Sequence, residues 1–178
     1  DEKINDLIAC ANEHKLTLLS HDDDCIEKLD ALSSLGVKIS EFPLDLEVAK
    51  HAVKNGMATG MGAPNIVRGG SQGGNIPAIT LVKENVCKYL CSDYHPASML
   101  QAVYKIKEDS HLSIAQAFSM ITSTPAKYAN LDDRGELKEN KIADILVIDD
   151  VHIPKVILTI KDGEAIYNAM KNYKLKGA

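Results

Sequence analysis

LTLLSHDDDCIEKLDALSSLGVKISEF, residues 16–42, reads as one complete strand–helix–strand unit. LTLLS (16–20) is a short apolar strand. CIEKLDALSSLG (25–36) switches to helical spacing and stops at Gly36, a residue suited to the position just past a helix. VKISEF (37–42) is a second strand. Strands that are apolar throughout, rather than alternating, belong to a sheet covered on both faces, and a helical crossover between them makes the pair parallel.

The same rhythm extends in both directions. Upstream, residues 1–15 place Ile4, Leu7, Ile8 and Ala11 on one helical face. Downstream come a helix over 44–56 with a glycine stop, a strand of small residues and methionines over 57–63, and a glycine-rich loop over 64–75. A helix over 76–86, a strand over 88–93, a helix over 96–108 opened by Pro96, and a helix over 112–121 capped by Ser113 complete the series. The expected fold is α/β, with about four parallel strands. Their C-terminal ends are SHDDD, SEFP, GMGAPN and SDYHP, so the polar residues collect where α/β proteins place their chemistry.

From residue 132 the texture changes. Turns are expected near Arg134-Gly135 and Glu139-Asn140, and VILTIKDGEAIYN (156–168) carries the strand–Asp-Gly–strand pattern of a hairpin. The expected division is 1–131 for the α/β part and 132–178 for a β appendage, with KNYKLKGA (171–178) as a loose basic tail.

Composition narrows the function. Net charge is −5 across 178 residues and there is no long basic run, which argues against nucleic-acid partners and a polybasic membrane patch. No apolar stretch approaches the roughly 18 residues that span a bilayer, and no signal peptide is visible. The cytoplasm is the expected compartment. Cys10, Cys25, Cys87 and Cys91 have no metal-ribbon spacing and are expected to be reduced, small buried residues. With no tryptophan, the core must be mostly aliphatic.

Each candidate residue has a plain reading beside a chemical one. SHDDD is a solvated turn in which Asp23 or Asp24 caps the next helix, or a strand end where His21 holds a divalent metal with Asp22 orienting the ring. Asp93 caps a helix, or ligates a metal and takes a proton from water. His95 is a polar loop residue or touches substrate. Arg68, with Gly69, Gly70, Ser71 and Asn75, is a flexible lid or an anion-binding loop of one guanidinium fork and free backbone N–H groups. Glu41 is a ligand, a base or a partner for Arg68.

GELKENKIADILVID, SHDDD and SDYHPAS, joined by MGAPNIVRGGSQGGN and EFP, together resemble the amidohydrolase superfamily, and within it the hydrolases of phosphonate metabolism. The resemblance runs along almost the whole chain. It implies the C-terminal half of a metal-dependent (β/α)8 barrel plus strands of a small β-sandwich. It also implies a diphosphatase that splits diphosphate from a ribose phosphonate triphosphate, with His21 and Asp93 as metal ligands. The metal would be zinc, or else manganese. The superfamily's histidine pair of the first strand is absent, so the chain reads as an incomplete enzyme, inactive alone, that forms a homo-oligomer or joins the missing half. Glu41 stands where many relatives carry histidine, and Gln72 where the loop often has an imidazole. A competing expectation is a non-catalytic α/β signalling module, such as a phosphoacceptor domain with an acidic strand-end pocket. It leaves the β appendage unexplained.

Overall fold

A computed structural model describes residues 2–71 and 73–170, apart from the side chain of Glu2. Gln72 and the 171–178 tail lie outside them. Four strands, β1 (Leu19–His21), β2 (Ile39–Glu41), β3 (Ala58–Gly62) and β4 (Tyr89–Cys91), form a parallel sheet in sequence order. Between them run α2 (Ile26–Ser34), α3 (Leu46–Lys54), α4 (Ala63–Arg68) and α5 (Ala78–Lys83), with α1 (Glu2–Glu13) leading in. Then follow α6 (Ser98–Asp109), α7 (Ile114–Ser119) and α8 (Ser123–Tyr128). Unbroken strand order with a helix after each strand is the winding of a barrel wall, unlike the doubly wound sheet, whose order reverses.

The strand alternation sorts the two faces. Thr59, Met61 and Leu90 point to the helix side, where Met61 and Leu90 join Ala49, Ile66, Leu81, Val82, Ala102, Val103 and Ile106 in the main core. Leu29, Val48, Ala52 and Met57 make a second cluster under α2 and α3. The core is aliphatic, as expected. The opposite face carries the row His21–Glu41–Gly60–Tyr89, aligned by register across all four strands. Only a small cluster of Ile39, Ala58 and Tyr89, with Tyr128 against it, covers that face. The helices α2 to α6 thus cover one face, and the other is met by Tyr128 at the end of the segment that follows them. The strands read as apolar on both sides because their inward residues are small or aromatic, which is what a barrel interior takes.

Residues 120–130 run back across this inner side. Leu90 N–H donates to the Met120 carbonyl, Thr17 Oγ1 donates to the Tyr128 carbonyl, and Asn130 Nδ2 donates to the Lys15 carbonyl. The chain itself thus links β4 back to the entry of β1. The helix α8 that makes this link lay unread in STPAKY. Other differences are of extent. β1 starts three residues later than its apolar run, because Leu16 N–H bonds back to the Ala11 carbonyl and Thr17 belongs to that linkage, and the helix expected over 76–86 is cut to 78–83 by Pro77 at its cap.

The second sheet is antiparallel, β5 (Ile145–Asp149), β6 (Lys155–Lys161) and β7 (Glu164–Asn168), in that order. Asp162 and Gly163 both have positive φ, 51° and 83°. That is the two-residue turn whose twist matches a hairpin, and Asp-Gly is the pair that tolerates it. The expected turns at Gly135 and Asn140 also sit at positive φ, 89° and 66°. Residues 132–144 are irregular, and the first strand of this sheet starts at Ile145. All four cysteines are free, but Cys10 and Cys25 are exposed, so only Cys87 is the buried thiol expected. Among the described residues, no helix is long and apolar enough to cross a membrane.

Candidate functional site

At the C-terminal ends of the parallel strands lies an open cleft of about 220 Å³. Its walls bring together His21 and Asp22 after β1, Met61 from β3, and Asp93 after β4, with Ser71 and Asn75 closing it from the segment after α4. These five polar residues were read as site candidates from sequence, and the fold puts them in one place.

Backbone strain marks the cleft. Asp22, Phe42 and Asp93 follow three of the four strands with φ of 53°, 54° and 49°. Left-handed backbone costs a non-glycine residue about 1–3 kcal/mol, least for Asp. It turns each side chain back over the sheet end. His21 then lies edge-on against Phe42, with ring centroids 4.8 Å apart. Gly62 makes the room: a Cβ there would stand 3.1 Å from both Asp93 Oδ2 and Phe42 Cε1.

The three aspartates of SHDDD have three different fates. Asp22 Oδ2 lies 3.0 Å from His21 Nδ1, a contact that in the neutral ring favours the proton on Nδ1 and leaves the lone pair on Nε2. Asp23 is fully buried and accepts from Ser20 Oγ (2.6 Å) and Ser40 Oγ (2.5 Å). Asp24 is exposed. The cap of α2 is Cys25, without a side-chain bond, so neither aspartate is the helix cap that the plain reading supposed.

His21 Nε2 and the Asp93 carboxylate have no hydrogen-bond partner among the described residues. An imidazole nitrogen and a carboxylate are a fitting pair of donors for a zinc-like cation. They are only two. Among the described residues no group of three histidine, cysteine or acidic side chains could hold a metal. Further donors would have to come from outside this set.

Arg68 and its glycines are placed otherwise than expected. Arg68 ends helix α4 rather than standing in a loop; its Nη1 donates to Tyr94 Oη at 2.7 Å and its Nη2 to the Gly70 carbonyl at 3.3 Å. It sits at the surface, outside the cleft walls. Gly69, at φ 82°, closes the helix, and the N–H groups of Gly69 and Gly70 both donate to the Asn65 carbonyl at 3.0 Å. They are therefore not the free donors of an anion nest. Asn65, not singled out from sequence, lines the cleft, and its Oδ1 accepts the Ala78 N–H at 2.9 Å. Its signal is the asparagine three residues past the small-residue strand, in GAPN.

Glu41 turns away from Arg68 and from the cleft. It accepts from Tyr89 Oη at 3.2 Å on the inner face. Burial and then the Glu41 charge push the Tyr89 hydroxyl well above its ordinary range, so Tyr89 stays a proton donor. The same two causes raise the Cys91 thiol to about 11. His95 is exposed; its backbone carbonyl accepts from Ser98 Oγ and opens α6, while its ring is not among the cleft walls.

The sequence matches the Amidohydrolase family over residues 4–175. It is 40% identical over 143 residues to the alpha-D-ribose 1-methylphosphonate 5-triphosphate diphosphatase of Escherichia coli K12, covering 79% of this chain and 38% of that protein. A dihydroorotase of Endomicrobium trichonymphae is 58% identical over 38 residues, 21% of this chain and 9% of that one. Among solved structures, the N-acetylglucosamine-6-phosphate deacetylases of Pasteurella multocida (TM-score 0.70, 12% identity, 92% of this chain and 54% of that one) and Thermotoga maritima (0.68, 17%, 92% and 56%) share the fold. The chain spans less than half the length of the diphosphatase and about half that of the two deacetylases. With the match running through both sheets, the chain belongs to the amidohydrolase family.

Proposed function

We propose that this chain is the C-terminal part of a hydrolase that releases diphosphate from a ribose phosphonate triphosphate. One observation carries the reading: the chain is 40% identical to a diphosphatase over 143 residues, and its fold gathers His21, Ser71, Asn75 and Asp93 in one cleft. The family generally uses divalent metals. Here His21 Nε2 and Asp93 would hold one, zinc in the first place and manganese in the second. Such a cation, when bound, supplies positive charge to phosphoryl oxygens and acidifies water.

The chain's own residues do the remainder. Asp22 keeps the His21 proton on Nδ1. The Asp93 carboxylate accepts a proton from the attacking water, whose oxygen bonds to the α-phosphorus as the bond from that phosphorus to the α–β bridging oxygen breaks and diphosphate leaves with that oxygen. Ser71 and Asn75 offer donors to the phosphate oxygens, and Arg68 at the rim meets the charge on the outermost phosphates. The products are diphosphate and the ribose phosphonate 5-monophosphate. The rest of the barrel, from further sequence or from another chain, supplies the remaining metal donors, and homo-oligomers are part of the same proposal. So is a cytoplasmic location.

The test is diphosphate release from the triphosphate by a protein as long as the E. coli relative. Asp93→Asn is expected to lower turnover roughly 10²–10⁴-fold, the range for losing a positioned acid–base group. The 178-residue chain alone is expected to release none. Undiminished turnover in Asp93→Asn would remove Asp93 from the mechanism.

A further inference from the structure

Behind the cleft, on the helix side of β1 and β2, lies a buried charge that the proposed chemistry does not use. Asp23 is 0% exposed. Its Oδ2 takes both serine hydroxyls, Ser20 and Ser40, one from each neighbouring strand. Its Oδ1 makes no hydrogen bond, but Lys28 Nζ stands 3.1 Å away as an ion-pair partner. The same ammonium donates to the Asp22 carbonyl at 3.2 Å and to the His21 carbonyl at 3.4 Å. The backbone carbonyl of Asp23 accepts Leu44 N–H at 3.0 Å, and the Asp22 N–H donates to the Glu41 carbonyl at 3.0 Å.

These contacts surround one dipeptide. His21 and Asp22 are bounded upstream by Ser20 and downstream by Asp23, and Lys28 holds both of their carbonyls. Asp22 has the left-handed φ of 53°, a conformation that persists where the surroundings over-determine it. With this backbone turn the Asp22 carboxylate reaches His21 Nδ1 at 3.0 Å. We propose that Asp23 and Lys28 are positioning residues: a buried carboxylate and an ammonium that clamp the His21–Asp22 turn, and through Asp22 fix which nitrogen of His21 is free. The serine pair makes the clamp common to two strands, so the height of His21 above the sheet is tied to that of Glu41, its register partner.

The clamp matters for activity only if His21 is a site residue, so its catalytic consequence rests on the proposed function. Its structural consequence does not. The first readout is therefore the imidazole nitrogen spectrum of His21 by NMR in the 178-residue chain, assigned by its loss in His21→Ala. The unaltered chain is expected to show a protonated Nδ1 and a lone-pair Nε2, and Asp22→Asn to lose that preference. Lys28→Met, a change at a side chain 38% exposed, is expected to give a mixture of tautomers. Lys28→Arg, which keeps donors and charge, is expected to restore the single form. Asp23→Asn should act as Lys28→Met does where it folds. In the longer enzyme, Lys28→Met is expected to lower kcat/KM about 10- to 100-fold, the usual effect of removing a group that orients a ligand. A His21 spectrum in Lys28→Met identical to that of the unaltered chain overturns the clamp. Full turnover in His21→Ala would instead overturn the function, and the spectrum would still decide the clamp.

Discussion

Asp23 and Arg68 are both charged residues near the same end of the parallel sheet, and they are held in opposite ways. Asp23 sits at the bottom of a closed set of partners drawn from β1, β2 and α2, with no exposure to water. Arg68 hangs from the end of a six-residue helix on an exposed tyrosine and one carbonyl. The buried residue can shape the site but cannot touch a ligand. The exposed one can touch a ligand but shapes little. Charge in a sequence does not separate these roles; the number of elements that converge on the residue does.

The sharpest way to break the comparison is Asp23→Ala. It removes the acceptor of two serine hydroxyls and the partner of an ammonium. Hydrogen bonds to a charged group contribute roughly 1.5–3 kcal/mol each, and buried donors left unpaired cost more. A loss of about 3 kcal/mol or more in unfolding free energy is expected. Asp24→Ala, at an exposed neighbour of identical chemistry, is expected to stay within about 0.5 kcal/mol. Denaturant titration of the two variants checks both, and equal losses would mean that burial is not what distinguishes them.

Gly60→Ala tests a half-buried carboxylate contact, that of Glu41 with Tyr89. The Tyr89 ring crosses Gly60 to reach Glu41, and a Cβ on Gly60 would lie 2.3 Å from Tyr89 Cζ. Tyr89 is buried and packs near Tyr128, so the ring has little space to retreat. Overpacking of this kind costs typically about 1–3 kcal/mol. The expected result is a lowered unfolding midpoint together with a Tyr89 hydroxyl that titrates closer to its ordinary range. An unchanged midpoint would mean that the ring passes beside Gly60 without needing its bare face.

These cases also show how much was legible. The parallel strands, the hairpin at Asp162-Gly163 and the gathering of His21, Asp22 and Asp93 followed from local signals: apolar runs, turn residues and strand-end positions. The split among the three aspartates did not, because which of three adjacent carboxylates is buried depends on serines of two different strands. Arg68 ends a helix where the neighbouring glycines point to a loop. The glycines after it were read as a source of free N–H groups, but an asparagine carbonyl four residues before the first of them takes both. What covers the inner face is not legible, because small and aromatic residues look the same in sequence whether helices or a barrel interior lie above them.

Arg68→Ala sharpens the comparison from the exposed side. The guanidinium loses one tyrosine hydroxyl and one carbonyl, both at the surface, so unfolding free energy is expected to change by less than about 0.5 kcal/mol. If Arg68 meets phosphate, a charge-assisted contact of roughly 1.5–3 kcal/mol is lost from binding. Calorimetric titration with inorganic triphosphate of the full-length variant and its parent separates the two quantities. Equal affinity would take Arg68 out of the site, and a large stability loss would show that it is built in as Asp23 is.

The smallest effect is expected at a carboxylate with ion-pair partners like Asp23 but with none of its burial. Asp144, beside the hairpin, accepts the Asp162 N–H at 3.0 Å and Lys161 Nζ at 2.9 Å and 3.0 Å. The Asp162 N–H first, and then Lys161, hold its carboxyl below the ordinary value near 3.8. The folded state therefore binds this proton less readily than the unfolded chain. The stabilisation is present above that ordinary value and is lost as pH falls through the depressed one, so its window lies below about pH 4. Lys161 is raised by the same contact, and its share is present below 10.5 and lost only as pH rises past its folded value. Both groups are in water, where screening leaves such pairs weak and salt-sensitive. Asp144→Asn should lower the thermal midpoint slightly near neutral pH, by less in high salt, and the two proteins should converge as the solution is acidified below about pH 3. A difference that stayed constant from neutral to acid would show that Asp144 acts through its hydrogen bonds alone, which asparagine alters at every pH, and not through its charge.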